Sequence, residues 1–335
     1  MRRWILTFFL LLTCVITGCA AQKEESTDAM LEDELIRIGD DSCTLAEAMI
    51  FVAAQKNIYQ DSYGGDIWSV KLSEGTFETY IMNGLKTYLG KLFSAAQMAR
   101  TEGYVLTEEE SDRVAQAAAA YMAAMSEEEI ASTHLSEEIV RDAYEQYVLA
   151  RKLYDHVLAD AGVEVSSDEA RVIHLQKLLF STEGLSDTER QKVRARADQA
   201  AAEIAEGKDF SAAAQAEDGN ITEIEVMRGD LDANAESAVF ALATGEVSPV
   251  LETEEGYMIC KCVNSYDEAA SNANKAKLLA ERRDQVFSDH LNAYLEEHQA
   301  LFNDRAWEKL SISGYEGAAS ANFYTIYQQY FSEQQ

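Results

Sequence analysis

Cysteine and histidine are the residues of this chain best suited to ligate a metal, shuttle electrons or act as nucleophile and base, and there are five of each. Beyond the N-terminal stretch that holds Cys14 and Cys19, three thiols remain: Cys43, Cys260 and Cys262. An odd number cannot all pair within the chain. Cys260 and Cys262 stand two apart in a run that reads as a strand, so they share a face and point in parallel, which disfavours a bond between them. No Cys-x-x-Cys motif points to redox work, and no His/Cys/Asp cluster has metal spacing. Buried, idle thiols are therefore expected, with no metal and no cofactor. His174 stands alone in an apolar run and reads as a packing or surface residue.

Charge narrows the function classes further. The chain carries 28 basic against 59 acidic residues, a net charge of −31. Neutralising phosphates is a poor task for such a surface, so no nucleic-acid partner is expected. Acidity instead keeps a protein soluble or favours cationic clients. A chain of 335 residues with 47% hydrophobic and 26% charged residues is globular and long enough for two domains. One proline, many alanines and long Ala/Glu/Lys/Arg/Leu runs predict a mostly helical protein. Neither composition nor pattern decides the oligomeric state.

Periodicity then places the elements. Leu35 to Gly39 reads as a short strand ended by a turn at Asp41-Ser42. Thr44 with Glu47 three residues on is a capping box, and the helix after it carries Leu45, Ala48, Met49, Val52 and Ala53 on one face. Turn signals surround Tyr63–Asp66 and Ser73–Gly75. A long helix is predicted from Thr76 to about Arg100, and Thr107, Ser126 and Ser136 open three more, the last reaching about Ala161. The style changes at Val163. Arg171 to Phe180 is a strand apolar on both sides and so central in a sheet. A helix over Asp187–Glu206 follows, closed by Gly207, then a short helix from Lys208, a strand over 221–228 and a helix over 235–243. Residues 247–253 and 257–263 form a hairpin through Glu254-Glu255-Gly256. Ser271–Leu301 is one amphipathic helix whose apolar seam needs a partner. After a Ser-Gly-Tyr-Glu-Gly loop, Phe323, Tyr327, Tyr330 and Phe331 fall at helical spacing, which suits a frayed tail or a short docked helix equally.

At the N-terminus, Arg2-Arg3, an apolar run from Trp4 to Val15 and then Ile16-Thr17-Gly18-Cys19 resemble a bacterial lipoprotein signal and lipobox. The apolar run is too short for a settled membrane span. The resemblance implies cleavage before Cys19, lipidation of Cys19 and anchoring outside the cytoplasmic membrane of a bacterium.

Four blocks carry a second resemblance: Glu206-Gly207-Lys208-Asp209-Phe210, Arg228-Gly229-Asp230-Leu231, Ala238-Val239-Phe240-Ala241-Leu242 and the 245–259 hairpin. In order and spacing they resemble parvulin-type peptidyl-prolyl isomerases. TFETYIMNGLKTYLG, GYVLTEEE and VRDAYEQYVLARKLYD resemble, more loosely, the helical chaperone region of SurA- and PrsA-type foldases. The fold implied is α+β: a mostly helical chaperone-like domain with an inserted parvulin domain, a small four-stranded antiparallel sheet flanked by helices. The implied layout is a signal peptide over 1–18, a tether over 19–34, a helical region over 35–165 and a parvulin-like domain over 166–267. A C-terminal helix packing back on the helical region would span 268–315, and an aromatic tail 316–335. The function implied is a lipid-anchored foldase acting on unfolded or secreted polypeptides.

The same resemblance implies where catalysis would sit, and there the sequence departs from the family. The first family histidine falls on Lys177 and the second on Met258. The family's Cys/Asp position falls near Asp218 or Thr222. Leu231 remains of the proline pocket, with Met227 and Phe240 as further candidates, and a pocket aromatic is replaced by Ala235. A methionine is flexible and apolar but cannot stand in for a hydrogen-bonding imidazole. Three readings therefore stand: an isomerase, a holdase or peptide-binding module whose parvulin domain has lost its catalytic set, or an envelope scaffold or adhesin built on the amphipathic helices.

Overall fold

The computed structural model describes residues 30–39, 41–217, 219–315 and 322–332. The lipobox with Cys19, most of the tether and part of the aromatic tail lie outside the described residues, as does Asp218. The chain divides into two compact units, one made of Met1–Gly162 and Arg283–Gln335, the other of Val163–Arg282.

The first unit is built on helices α1 (Leu45–Tyr63), α2 (Phe77–Thr101), α3 (Glu108–Ala124), α4 (Glu127–Thr133) and α5 (Glu137–Ala161). Capping boxes begin three of them: Thr44 with Glu47, Thr107 with Glu110 and Ser126 with Glu129. Each satisfies backbone N–H groups that the first turn leaves without partners. The apolar faces meet in one core that includes Phe51, Leu85, Leu89, Phe93, Tyr121, Val140 and Tyr144.

A small sheet completes this unit, and the sequence reading missed two of its three strands. β1 (Glu34–Ile38) is flanked by β2 (Asp41–Thr44) and β7 (Ala300–Phe302), in the order β2-β1-β7. Residues 41–44 are thus a strand rather than a turn, because Gly39 at φ 57° already reverses the chain. At the other end, the long helix α9 (Glu268–Glu297) stops short of Leu301. Ala300–Phe302 pairs with β1 instead, and the Trp307 indole donates to the Leu35 carbonyl 272 residues earlier. A partner so far away leaves no mark on local periodicity. Gly90 of α2 makes room for this strand: a Cβ there would lie 2.8 Å from the Phe302 ring.

The aromatic tail is a docked helix, α11 (Phe323–Phe331). Phe323 is fully buried, its ring stacked on Tyr144 at 4.2 Å, and the Tyr144 hydroxyl donates to the Phe323 carbonyl at 3.1 Å. α10 (Asp304–Trp307) precedes it and buries Trp307.

The second unit is the α+β one. β3 (Val172–Ser181), α6 (Asp187–Ala205), α7 (Phe210–Ala216), β4 (Asn220–Met227), α8 (Ala233–Phe240), β5 (Leu251–Thr253) and β6 (Gly256–Asn264) follow in the order the sequence predicts. The sheet is antiparallel, β4-β3-β6-β5, with β3 central. The first hairpin strand is shorter than its reading over 247–253. Pro249 has no N–H to continue a ladder, and only Val247, by an isolated bridge to Lys261, and residues 251–253 pair. Ser248 fills the gap by donating its N–H to the Cys260 carbonyl at 2.8 Å and accepting the Cys260 N–H on its hydroxyl at 2.9 Å. Gly256 begins β6 at φ 139°, where a Cβ would sit 2.2 Å from the Phe180 carbonyl oxygen.

Strand alternation splits the apolar residues into two layers. Ile173, Leu175, Val226, Met258, Cys260 and Cys262 face α8 with its Ala235, Val239 and Phe240. Leu178, Phe180 and Ile259 face α6 and α7 through Ala197, Ala200, Phe210 and Ala214.

Candidate functional site

The site follows from register. Lys177 is paired with Thr222 on β4 and with Cys260 on β6. One row further along, Leu179 is paired with Met258, which is in turn paired with Leu251. Lys177, Thr222, Cys260, Met258 and Leu251 therefore share the sheet face covered by α8. Leu231, in the turn before α8, and Phe240, near its end, pack into the same layer.

Met258 is 2% exposed within that layer and Phe240 5%, so the apolar part of the face is closed by its own side chains. Lys177 behaves differently. Its side chain keeps 21% of its accessible surface, and Nζ lies 3.1 Å from Oε2 of Glu255, in the hairpin turn. A lysine on a sheet face needs a carboxylate or a path to water, and it has both. Glu255 as its partner could not be picked from the turn signal alone.

Two arginines close the far side of the layer. The guanidinium groups of Arg171 and Arg228 lie 4.9 and 4.0 Å from the Phe240 ring centroid. Arg228 pairs with Asp168 at 2.7 Å and with Glu236 at 3.4 Å, and Arg171 donates to the Phe240 carbonyl. Sequence spacing gave no hint of this clamp, since Asp168 and Arg228 are 60 residues apart.

The other candidates separate. Thr222 is exposed beside Lys177 and offers a hydroxyl. Met227 has the opposite parity to Val226 and pairs with Val172 at the far end of β3, so the structure does not bring it to this face. His174 likewise points to the other face from Lys177. Its Nε2 lies 2.9 Å from Asp267 Oδ2, and Asp267 also caps the start of α9 by accepting from the Ala270 N–H. These two bonds, the Ala270 one foremost, hold the Asp267 carboxyl below its usual range. The His174–Asp267 pair is a clasp on α9.

Among the described residues, the thiols Cys43, Cys260 and Cys262 are unpaired and buried. Burial pushes the Cys260 thiol up to about 12 against a weaker opposing pull from the Lys177 charge, so it is not a nucleophile at neutral pH. Among the described residues no group of three or more His, Cys, Asp and Glu could hold a metal ion.

In the first unit, Tyr88, Leu92 and Ala95 of α2, Tyr147, Ala150 and Tyr154 of α5 and Phe287 of α9 line a small apolar cleft of roughly 90 Å³. Its rim carries Lys91, Arg151 and Asp284.

Residues 178–264 match the rotamase family, described as a PPIC-type PPIASE domain. Over 180 residues the chain is 26% identical to the foldase protein PrsA of Staphylococcus epidermidis. That match covers 50% of this chain and 54% of the relative, so it spans about half the length of the protein it resembles. Among solved structures, PrsA of Bacillus cereus is 14% identical with a TM-score of 0.33, covering 78% of this chain and 97% of that one. A SurA-like chaperone structure from Campylobacter jejuni is 13% identical with a TM-score of 0.27, covering 81% and 98%. By the family match residues 178–264 are a parvulin-type rotamase domain, and the chain that carries it resembles the PrsA foldases.

Proposed function

We propose that this protein is an extracytoplasmic folding factor of the parvulin peptidyl-prolyl isomerase family. It holds unfolded or secreted polypeptides and turns over prolyl bonds weakly or not at all. One observation carries the second half of that reading: Lys177 and Met258, at the two positions where the family resemblance expects histidine, lie on the α8 face of the sheet, and Met258 is buried there.

The chemistry explains why these replacements matter. Rotation about a prolyl amide faces a barrier of about 18–20 kcal/mol set by the partial double bond. A catalyst must favour the twisted amide over the planar one. Aimed hydrogen-bond donors in a sheltered site could do so. A methionine offers none, and a lysine already paired with Glu255 offers a hydrated point charge. What stays open on this face is its edge, where Lys177 keeps part of its side-chain surface and Thr222 is exposed, and a peptide would have to bind there. Anchoring through a lipid on Cys19 would keep the protein at the outer side of the cytoplasmic membrane, and the cleft between α2, α5 and α9 is a second apolar surface for clients. The layout proposed is a helical region over 35–165 completed by 268–315, with the parvulin-like segment 166–267 inserted between them.

The test is a pair of assays on the purified chain. A proline-peptide cis/trans assay is expected to stay near the uncatalysed rate, while aggregation of a chemically unfolded client is suppressed. Rapid isomerisation would overturn the depleted-site reading, and no suppression would overturn the holdase reading.

A further inference from the structure

We infer that the outer edge of β4 is a docking site for extended polypeptide bearing lysine or arginine, which adds to the sheet as a further antiparallel strand. This rests on the reading above that the protein holds unfolded polypeptides, and it names where they dock and by what chemistry.

The strands of the described residues form two sheets and so present edge strands β2, β7, β5 and β4. The first three are poor templates. β2 has four residues, β7 and β5 have three each, and Pro249 interrupts the approach to β5. β4 has eight, Asn220–Met227, or about 27 Å of strand. It pairs with β3 in an unbroken register and has no strand on its other side. Its sequence, NITEIEVM, contains neither proline nor lysine, and no bulge twists it away; those are common ways to blunt an edge.

Strand polarity decides which backbone groups are on offer. The Thr182 N–H meets the Glu255 carbonyl at 3.0 Å, so even-numbered residues of β3 bond towards β6 and odd-numbered ones towards β4. Asn220, Thr222, Ile224 and Val226 are therefore the residues of β4 that bond to β3. Met227 agrees with this alternation, since its N–H points outward to Oδ2 of Asp230 at 2.7 Å. The N–H and C=O groups of Ile221, Glu223 and Glu225 face outward too, with no protein partner among the described residues. Spaced two apart, they form the ladder that an incoming strand completes.

Charge then selects the occupant. Glu223 and Glu225 are exposed. Glu223 accepts a long hydrogen bond from Gln176 at 3.4 Å, and among the described residues no cation pairs with either carboxylate. A second copy of β4 paired about Ile224 would set Glu223 of each copy against Glu225 of the other, and like charges directly opposite are destabilising. The same two carboxylates favour a strand that carries cations opposite them. The net charge of −31 attracts such a strand at long range.

The experiment combines fluorescence anisotropy on the purified chain with amide hydrogen exchange of segment 220–227, read by mass spectrometry. Three capped heptapeptides alternate threonine with lysine, threonine with glutamate, or threonine with lysine on a fully N-methylated backbone. The lysine peptide is expected to bind roughly 2–30-fold tighter than the glutamate peptide, the range for two cross-strand ion pairs, and to slow exchange in 220–227. N-methylation should abolish both effects, because it keeps the charge and removes the backbone donors. Glu223→Lys combined with Glu225→Lys should invert the preference, with melting curves establishing that the variant is folded. Equal binding of the methylated and unmethylated lysine peptides would reduce the effect to bulk charge and overturn the inference, as would protection confined to other segments. Protection of 220–227 that grows with protein concentration in the absence of peptide would assign the edge to a second copy instead. If no peptide binds while an unfolded client is still kept from aggregating, the β4 site is overturned and the folding-factor reading stands. If aggregation is not suppressed either, that reading falls with it.

Discussion

Lys177 and Met258 occupy neighbouring rows of one sheet face: Lys177 is opposite Cys260, and Met258 is opposite Leu179. They stand one row apart on adjacent central strands. One is a paired cation and the other a buried thioether.

Restoring one imidazole at the buried position is therefore expected to cost stability without restoring catalysis. Met258→His places a polar ring in a layer made of Leu251, Phe240, Val239 and Cys260. With no partner there, the ring should destabilise the second unit by about 1–3 kcal/mol. Urea unfolding followed by a proline-peptide assay checks both halves. A variant as stable as the parent, or one that isomerises rapidly, would contradict the account of Met258 as core.

The docked tail makes a second prediction. Phe323 is fully buried and in ring contact with Tyr144, Phe51 and Tyr147. Phe323→Ala should cost about 3–5 kcal/mol, the range for deleting a buried aromatic ring. The urea midpoint reads it directly. A loss within a few tenths of a kcal/mol would mean that α11 is not part of the core in solution.

Glu47 gives a pH dependence with a definite sign. Its carboxyl is held above its usual range, chiefly by burial; the Thr44 capping bonds pull it down, and the Asp142 and Asp41 charges push it up. A carboxyl whose folded pKa exceeds its unfolded value stabilises the fold when protonated, and that contribution is lost as pH rises through the folded pKa. Glu47→Gln keeps an oxygen for the Thr44 N–H and removes the charge. Its melting temperature should exceed the parent's at pH 7, with the difference shrinking as the pH approaches about 4, near the ordinary carboxyl pKa. A difference independent of pH would exclude ionisation as the cause.

Thiol accessibility is the fourth. Cys43, Cys260 and Cys262 are all fully buried, and burial raises the pKa of each. A disulfide-exchange reagent at pH 8 should label them only at the rate of unfolding, and all three at once in denaturant. Prompt labelling of Cys260 in the native protein would show the α8 face open to solvent.

Much of the second unit was legible in one dimension because its signals are local. Asp209 caps α7, and the apolar run Tyr257–Val263 after the Glu254-Glu255-Gly256 turn announces β6. The four blocks from Glu206 to Ile259 placed those elements in the parvulin order, and the family match over 178–264 and the α+β fold class agree with that placement. The β2 and β7 strands were not legible. Four residues, Asp41–Thr44, and three, Ala300–Phe302, are too short to show a period, and β7 becomes a strand only by meeting β1.

For the site, the residue types at 177, 222, 231 and 258 are a matter of sequence, and so is the absence of imidazole at the two family positions. Alternation along a strand even set His174 on the opposite face from Lys177. What only the tertiary structure decided is which neighbours those side chains have. Glu255 reaches Lys177 because the hairpin turn folds over the end of β3, Arg171 and Arg228 meet on Phe240, and Met258 is sealed beneath α8. Faces follow from a two-residue period that the chain carries in itself, whereas partners follow from packing between segments tens of residues apart, which no local pattern encodes.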